Sequence, residues 1–262
     1  RVIHLHSSSP MLRASLAIIS LMMRKKLIIT YHGDLGRWNT FGNIIDYTSI
    51  LLCHTPIVLN DKSLKISKKL NKKSRMITAF IPPLNEPHLP EDIIKSIKLL
   101  REQHAIVLCT NAFNVTYDKT GQEIYGISKL VTIFTQEESK ALIISDPSGA
   151  YRNKFTEAGV NIPSNILLIS RPHSFFEIIK LSHCFLRTTT TDGDSLSVRE
   201  ALYLNKNVIA SDCVSRPDNT ILYRSGSLSN LQETISTYSF SAKTNPHSPN
   251  AVPLLIEIYE SL

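Results

Sequence analysis

The sequence predicts an α/β protein of two Rossmann-like, doubly wound parallel-sheet domains facing a cleft. Three observations predict it. Short apolar runs alternate with amphipathic stretches along nearly the whole chain, the pattern of parallel strands joined by crossover helices. The alternation breaks once, at PPLNEPHLPED (82–92), which holds four prolines in eleven residues, and then restarts. Polar residues with useful chemistry gather where the apolar runs end, and in open parallel sheets ligands bind at those ends.

In the first half, VIHLH (2–6) reads as a strand and 11–23 as a helix. LIITYH (27–32) is the next strand, followed by a helix over 43–52. TPIVLN (55–60) and the helix 62–70 come next, and RMITAFIPP (75–83) is a strand closed by Pro82 and Pro83. Proline excludes regular helix and strand interiors, so 85–103 is expected to be a linker. In the second half, strands are expected at 105–113, 141–146, 165–170, 183–189 and 207–212. Helices are expected at 124–138, 149–160 and 173–182, after the turn at 191–195, and over 228–236 and 252–261. The domain plan is therefore a partial first domain (1–84), the linker, a second domain (104–246) and a C-terminal helix (247–262). The polar stretch 239–250 is the one place where disorder is expected. The chain opens directly on a strand at Arg1, so the first domain is expected to be incomplete at its N-terminus.

Composition narrows the function classes. With 42% hydrophobic and 19% charged residues the 262-residue chain can bury a real core. The net charge of +7 favours anionic partners. Much of it is local: KSLKISKKLNKKSR (62–75) carries seven bases and no acid. That stretch reads as a solvated helix face or as a peripheral membrane contact. It lacks aromatics for stacking on bases, and a nucleic-acid role is not expected. Cys53, Cys109, Cys184 and Cys213 are dispersed without a CxxC, as expected for free thiols in a reducing compartment. No apolar run reaches the roughly 20 residues of a spanning helix, and a cytoplasmic protein, at most at the inner face of a membrane, is expected. Motifs of P-loop NTPases, α/β-hydrolases and classical dehydrogenases are absent. No ligand cluster has metal spacing, and no cofactor is expected.

The most charged turn is TDGDSLSVREAL (191–202). Gly193 lets the backbone bend and approach a ligand. Ser195 or Ser197 caps a helix whose free N–H groups suit a phosphate. Glu200, about a turn into the helix, can accept two hydrogen bonds from the cis-diol of a ribose, and Asp192 can bind sugar hydroxyls. Together these describe a nucleotide-sugar site.

Asp192 and Glu200 are separated by seven residues, and this resembles the E-x7-E motif of the group 1 retaining glycosyltransferases of GT-B architecture. REALYLNKNVIASD (199–212), SRPDNT (215–220), IYGISKLV (124–131), IHLHSSS (3–9), LIITYHGDLG (27–36), VLNDKSLKISKKL (58–70) and FIPPLN (80–85) resemble further segments of that family in register. The resemblance implies transfer of a sugar from a nucleotide donor, UDP being the commonest, to a hydroxyl of a polysaccharide, lipid-linked or other glycan, with retention. It assigns His32 and Asp192 to the donor sugar as catalytic residues, and Glu200 to the ribose. Gly193, Asp194, Ser195, Ser197 and Arg199 go to the nucleotide-sugar, and His6, Ser7, Gly33 and Asp34 to the acceptor side. Departures are also visible. Asp192 replaces a glutamate. Asn111 stands where the family has a phosphate-binding arginine, leaving Lys119, with Arg171, Arg187, Arg199 or Arg216 to supply the missing charge. The family's N-terminal glycine-rich loop is not seen. Two other functions share this architecture: a nucleotide-sugar epimerase and a non-catalytic sugar-binding or membrane-docking protein.

Overall fold

A computed structural model of the chain describes residues 2–85, 88–240 and 250–262. Most of the stretch expected to be disordered, 241–249, lies outside them, as do residues 1, 86 and 87. The chain divides into two compact units, Arg1–Pro82 with Pro249–Leu262, and Pro83–Ser248.

The first unit holds a four-stranded parallel sheet of β1 (Val2–His6), β2 (Lys26–Tyr31), β3 (Thr55–Val58) and β4 (Arg75–Met76), in that order. The connections are α1 (Pro10–Met22), α2 (Thr40–Leu52) and α3 (Asp61–Leu70). Because the strand order follows the chain order, right-handed crossovers place all three helices on one face. Side chains confirm this. Leu27, Ile29, Tyr31 and Val58 meet Ala17, Ile50 and Leu64 on that face, while Ile28, Ile57 and Ile77 point to the other. Each helix begins at a side-chain cap: Ser9 accepts from the Leu12 amide, Asn39 from Gly42 and Asn60 from Ser63.

The second unit holds a six-stranded, all-parallel sheet. Its strands are β5 (Ile106–Asn111), β6 (Lys140–Ser145), β7 (Ile166–Ile169), β8 (Cys184–Arg187), β9 (Asn207–Ser211) and β10 (Thr220–Tyr223), ordered β10-β9-β8-β5-β6-β7. Three helices pack on one face: α5 (Ile127–Phe134), α6 (Ala150–Glu157) and α9 (Leu228–Thr237). The other face takes α4 (Glu91–Gln103), α7 (Phe175–Leu181) and α8 (Leu196–Tyr203). Both faces of the central strands are therefore apolar, as in VLC (107–109) and ALII (141–144), where every residue is buried. Gly126, just before α5, is a residue that must be glycine. Its φ is +65°, and a Cβ there would lie 2.9 Å from the Thr188 carbonyl.

Three expectations need correction. The segment 85–103 is not a linker along most of its length: α4 fills 91–103, with Ile93, Ile97 and Leu100 buried at helical spacing. The prolines only start this helix, with Pro90 leading into Glu91 and Asp92, which suit the positive end of the helix dipole. The C-terminal helix is also no separate element. As α10 (Ala251–Glu260) it belongs to the first unit and covers the face opposite α1–α3. Ala251 and Ile258 pack on Ile28, Ile57 and Ile77, the Ala251 amide bonds to the Phe80 carbonyl at 2.8 Å, and the Tyr259 hydroxyl meets His4. The strand expected over 75–83 shrinks to two residues, and β10 is a strand added to those the sequence predicts.

Candidate functional site

In the second sheet, β5 leads to β6 and β7 in one direction and β8 to β9 and β10 in the other. The switch point lies between the carboxyl ends of β5 and β8, where a crevice for ligands is expected. Asn111 ends β5, and the run 188–195 leads from β8 into α8. The two meet: Asn111 Nδ2 donates to Ser197 Oγ at 3.2 Å, leaving the buried Asn111 Oδ1 without a partner among the described residues.

Glu200 stands in the second turn of α8. No described residue donates a hydrogen bond to its carboxylate, and burial pushes its pKa up. An uncompensated, half-buried carboxylate beside a switch point stores a demand for donors. Ser195 precedes α8 without capping it through its side chain. The last turn of α8 closes in a Schellman arrangement: Lys206 N–H reaches the Ala201 carbonyl at 2.8 Å and Asn205 is left-handed, with φ 56°.

Asp192 is not placed as expected. Its carboxylate takes two bonds from Arg187, both at 2.9 Å, and one from Arg216 at 2.7 Å. The Gly193 amide and the Thr189 hydroxyl complete the shell. These donors fill the roughly four lone-pair sites of a carboxylate, so Asp192 has no capacity left for sugar hydroxyls. Burial alone would raise its pKa, but the bonds and charges of Arg187 and Arg216 outweigh it and hold it below the usual aspartate range. The same pairing engages Arg187 and Arg216, two of the four arginines considered for the phosphate. Arg216 also donates to the Ser211 carbonyl at 3.0 Å.

The other basic candidates are similarly engaged or distant from the switch point. Arg199 Nε donates to Asp194 at 2.7 Å, a neutral pair at the start of α8. Arg171, beyond edge strand β7, forms a surface ion pair with Asp92 of α4. Lys119 is exposed in the turn Asp118–Gly121, which Asp118 organises by accepting from Thr120 and Gln122. Gly193 needs no glycine conformation, and a Cβ there would meet nothing within 4 Å. What it leaves is open space beside the turn.

In the first unit, β1 and β2 bring the expected residues to one sheet end. His6 Nδ1 and His32 Nε2 are 2.9 Å apart and share a hydrogen bond. Burial, then the neighbouring His6 and Arg13, lower the His32 pKa. Ser7 Oγ accepts from the Ser9 amide, and Asp34 accepts from Asn60 at 2.8 Å; Gly33 lies against the Arg37 guanidinium. His4, one pleat back, is a packing residue between Tyr259 Oη at 2.6 Å and Thr30 Oγ1 at 2.8 Å. Burial and then His6 lower its pKa to about 4. A histidine depressed in the folded state stabilises the fold above its unfolded pKa of about 6.5, and that contribution is lost as pH falls toward 4. The melting temperature is therefore expected to drop between pH 6.5 and pH 4, and to drop less in His4→Phe; differential scanning fluorimetry across that range checks it.

The described residues hold no group of three or more metal-ligating side chains, and Cys53, Cys109 and Cys184 are buried and form no disulfide. With this geometry established, comparison with solved structures is decisive for the fold. The chain is similar to Anabaena Alr3699/HepE, solved in complex with UDP, with a TM-score of 0.67 over 99% of this chain and 79% of that one, at 13% identity. The fold is GT-B. A second GT-B neighbour is the UDP-GlcNAc 2-epimerase of Methanocaldococcus jannaschii, with a TM-score of 0.64 over 100% of this chain and 77% of that one, at 12% identity. In sequence, the chain is 33% identical over 81 residues to an uncharacterized glycosyltransferase, MJ1059, of the same organism. That match spans 30% of this chain and 20% of the relative's length. No family model matches.

Proposed function

We propose that this chain is the sugar-transferring part of a nucleotide-sugar-dependent glycosyltransferase, of retaining type and with UDP as the nucleotide. The observation that carries this reading is Glu200: a half-buried carboxylate without a described partner, on α8, at the switch point of a GT-B fold. A ribose diol supplies the two donors it lacks. The amides at the start of α8, with Ser197 and Asn111, receive the diphosphate, and the helix N-terminus stabilises the charge that builds on the leaving nucleotide. His32 is assigned to the donor sugar, and His6, Ser7, Gly33 and Asp34 to the acceptor, a glycan or lipid-linked hydroxyl. The named relative supports the glycosyltransferase class, and HepE complexes with UDP and UDP-glucose support the donor.

A thermal-shift titration with UDP, GDP, ADP and their sugar conjugates tests it. UDP compounds are expected to raise the melting temperature by mass action. Glu200→Gln should weaken that binding about a hundredfold, because charge-assisted bonds to the diol are lost. Unchanged affinity in the variant would sink the assignment. The same substitution is expected to stabilise the free protein. The folded-state pKa of Glu200 is raised, so its charged form opposes folding. Wild type and variant should match below the unfolded glutamate pKa of about 4.3, and the variant's advantage should grow as pH rises from there to the raised folded pKa and stay constant above it.

The epimerase neighbour favours one second reading, conversion of the donor without an acceptor. Product analysis with UDP-sugar alone separates the two: free UDP and transfer product only with an acceptor, or an isomerised donor without one.

A further inference from the structure

The first unit has two helices whose polarity is inverted. In α1 the buried stripe is Arg13, Ala17 and Ser20, and in α2 it is Asp46, Ser49 and Ile50. Arg13 and Asp46 pair beneath the helices, each 2% exposed. The large apolar residues face outward instead. On α1, Ile18 is 46% exposed, Ile19 48% and Met22 79%; on α2, Phe41 is 69%, Ile44 57% and Leu51 59%. A helix that buries an ion pair and exposes isoleucines has its hydrophobic stripe turned away from its own core. The two helices are neighbours, and both turn these apolar residues to the side away from the sheet.

The charge beside that face selects its occupant. Parallel crossovers put α3 in the same layer, next to α2. The outward side of α3 and the turn after it carries Lys62, Lys65, Lys68, Lys69, Lys72 and Lys73, all exposed. The three helices hold two acids, Asp61 and the ion-paired Asp46. An apolar face flanked by lysines is complementary to a bilayer with anionic headgroups: apolar side chains enter the interface and the ammonium groups meet phosphates. The single tryptophan of the chain, Trp38, is 38% exposed just before α2. Its indole Nε1 donates to Asp46 at 3.2 Å, and its part-exposed ring serves as a fluorescent reporter of this unit. No helix among the described residues is long and apolar enough to cross a membrane, so the contact is one of lying on the surface.

We infer that the outer face of α1 and α2, with α3 as its electrostatic flank, docks this unit on an anionic membrane surface. The inference rests on the first unit alone and stands or falls separately from the nucleotide-sugar site.

The test is flotation of the full chain with vesicles of phosphatidylcholine alone and of phosphatidylcholine enriched in phosphatidylglycerol, with Trp38 emission read in parallel. Binding to the anionic vesicles and a blue shift of Trp38 are expected, both weakening with added salt. Ile19→Asp/Met22→Asp should reduce partitioning by at least about tenfold through lost apolar insertion. Lys65→Glu/Lys69→Glu should reduce it by about thirtyfold or more through lost headgroup attraction. All four positions are exposed, and an unchanged circular dichroism spectrum and urea midpoint verify that the variants fold. Failure to float with anionic vesicles, or equal binding by either variant, overturns the inference. So does a dimer in dilute solution that Ile19→Asp/Met22→Asp dissociates without any lipid effect, which would give the face to a second copy of the chain.

Discussion

Asp192→Ala is expected to cost the protein about 3–5 kcal/mol of folding stability, because it strands the buried guanidinium of Arg216 and the largely buried one of Arg187. Arg216 is 2% exposed and Arg187 14%, and Asp192 is their shared counter-ion. Both arginines tie the turn before α8 to the neighbouring strand ends: Arg216 also bonds to the Ser211 carbonyl at the end of β9. Removing the carboxylate leaves two guanidinium groups repelling each other with little water to screen them. Urea denaturation measures the loss. Adding Arg187→Met and Arg216→Met to Asp192→Ala separates the ion-pair network from general damage, since removing all partners of a buried network costs far less than removing one. The pH dependence has a definite sign. The folded pKa of Asp192 is depressed, so its stabilisation is complete above the unfolded value near 4 and fades as pH falls through the folded value. The gap between wild type and Asp192→Ala should therefore close in strong acid. An unchanged urea midpoint at pH 7, together with loss of nucleotide-sugar turnover, would return Asp192 to the chemical role that the E-x7-E resemblance implies.

Asp46→Ala is expected to have an effect of similar size in the first unit. Asp46 Oδ1 accepts from Arg13 Nε at 2.9 Å and from Nη2, and its Oδ2 accepts from Trp38 Nε1 at 3.2 Å. Arg13 further donates to the Ser7 carbonyl at 2.6 Å and lies 5.0 Å from the Tyr31 ring centre. Without Asp46 the guanidinium has no anion, again at about 3–5 kcal/mol. The damage should reach the end of β1, because Ser7 follows His6. Proteolysis between 7 and 40 and the urea midpoint both report it. The pair Arg13→Met with Asp46→Leu should recover most of the loss, whereas Asp46→Ala with native stability would mean the pair contributes nothing.

Much of this architecture is legible in the sequence because it rests on local rules. Nearly every foreseen strand and helix overlaps an observed one, since apolar runs and helical phase are properties of neighbours in the chain. α4 was hidden by Pro82 to Pro90, which mark where a helix cannot continue but not where one starts. β10 was hidden because TILY is short and sits behind Asn219, whose φ is 71°. The membership of α10 could not be read, since it is set by contacts between residues far apart in the chain, such as Ala251 with Phe80 and Tyr259 with His4. In the site, Glu200 and the turn before α8 were legible from spacing. The occupation of Asp192 was not, because Arg216 approaches from 24 positions away. The inverted phase of α1 is written in Arg13, Ala17 and Ser20, but only the sheet order tells which side of that helix meets the sheet.

The return of α10 to the first sheet also imposes an order on biosynthesis. A ribosome releases the second unit as one uninterrupted stretch, so that unit can fold as it emerges. The first unit cannot finish then. The side of its sheet that carries Ile28, Ile57 and Ile77 waits for Ala251 and Ile258, which leave the exit tunnel after the whole second unit. The first unit, although made before the second, is thus sealed after it, and in the interval its uncovered side is open to chaperones and to misassembly.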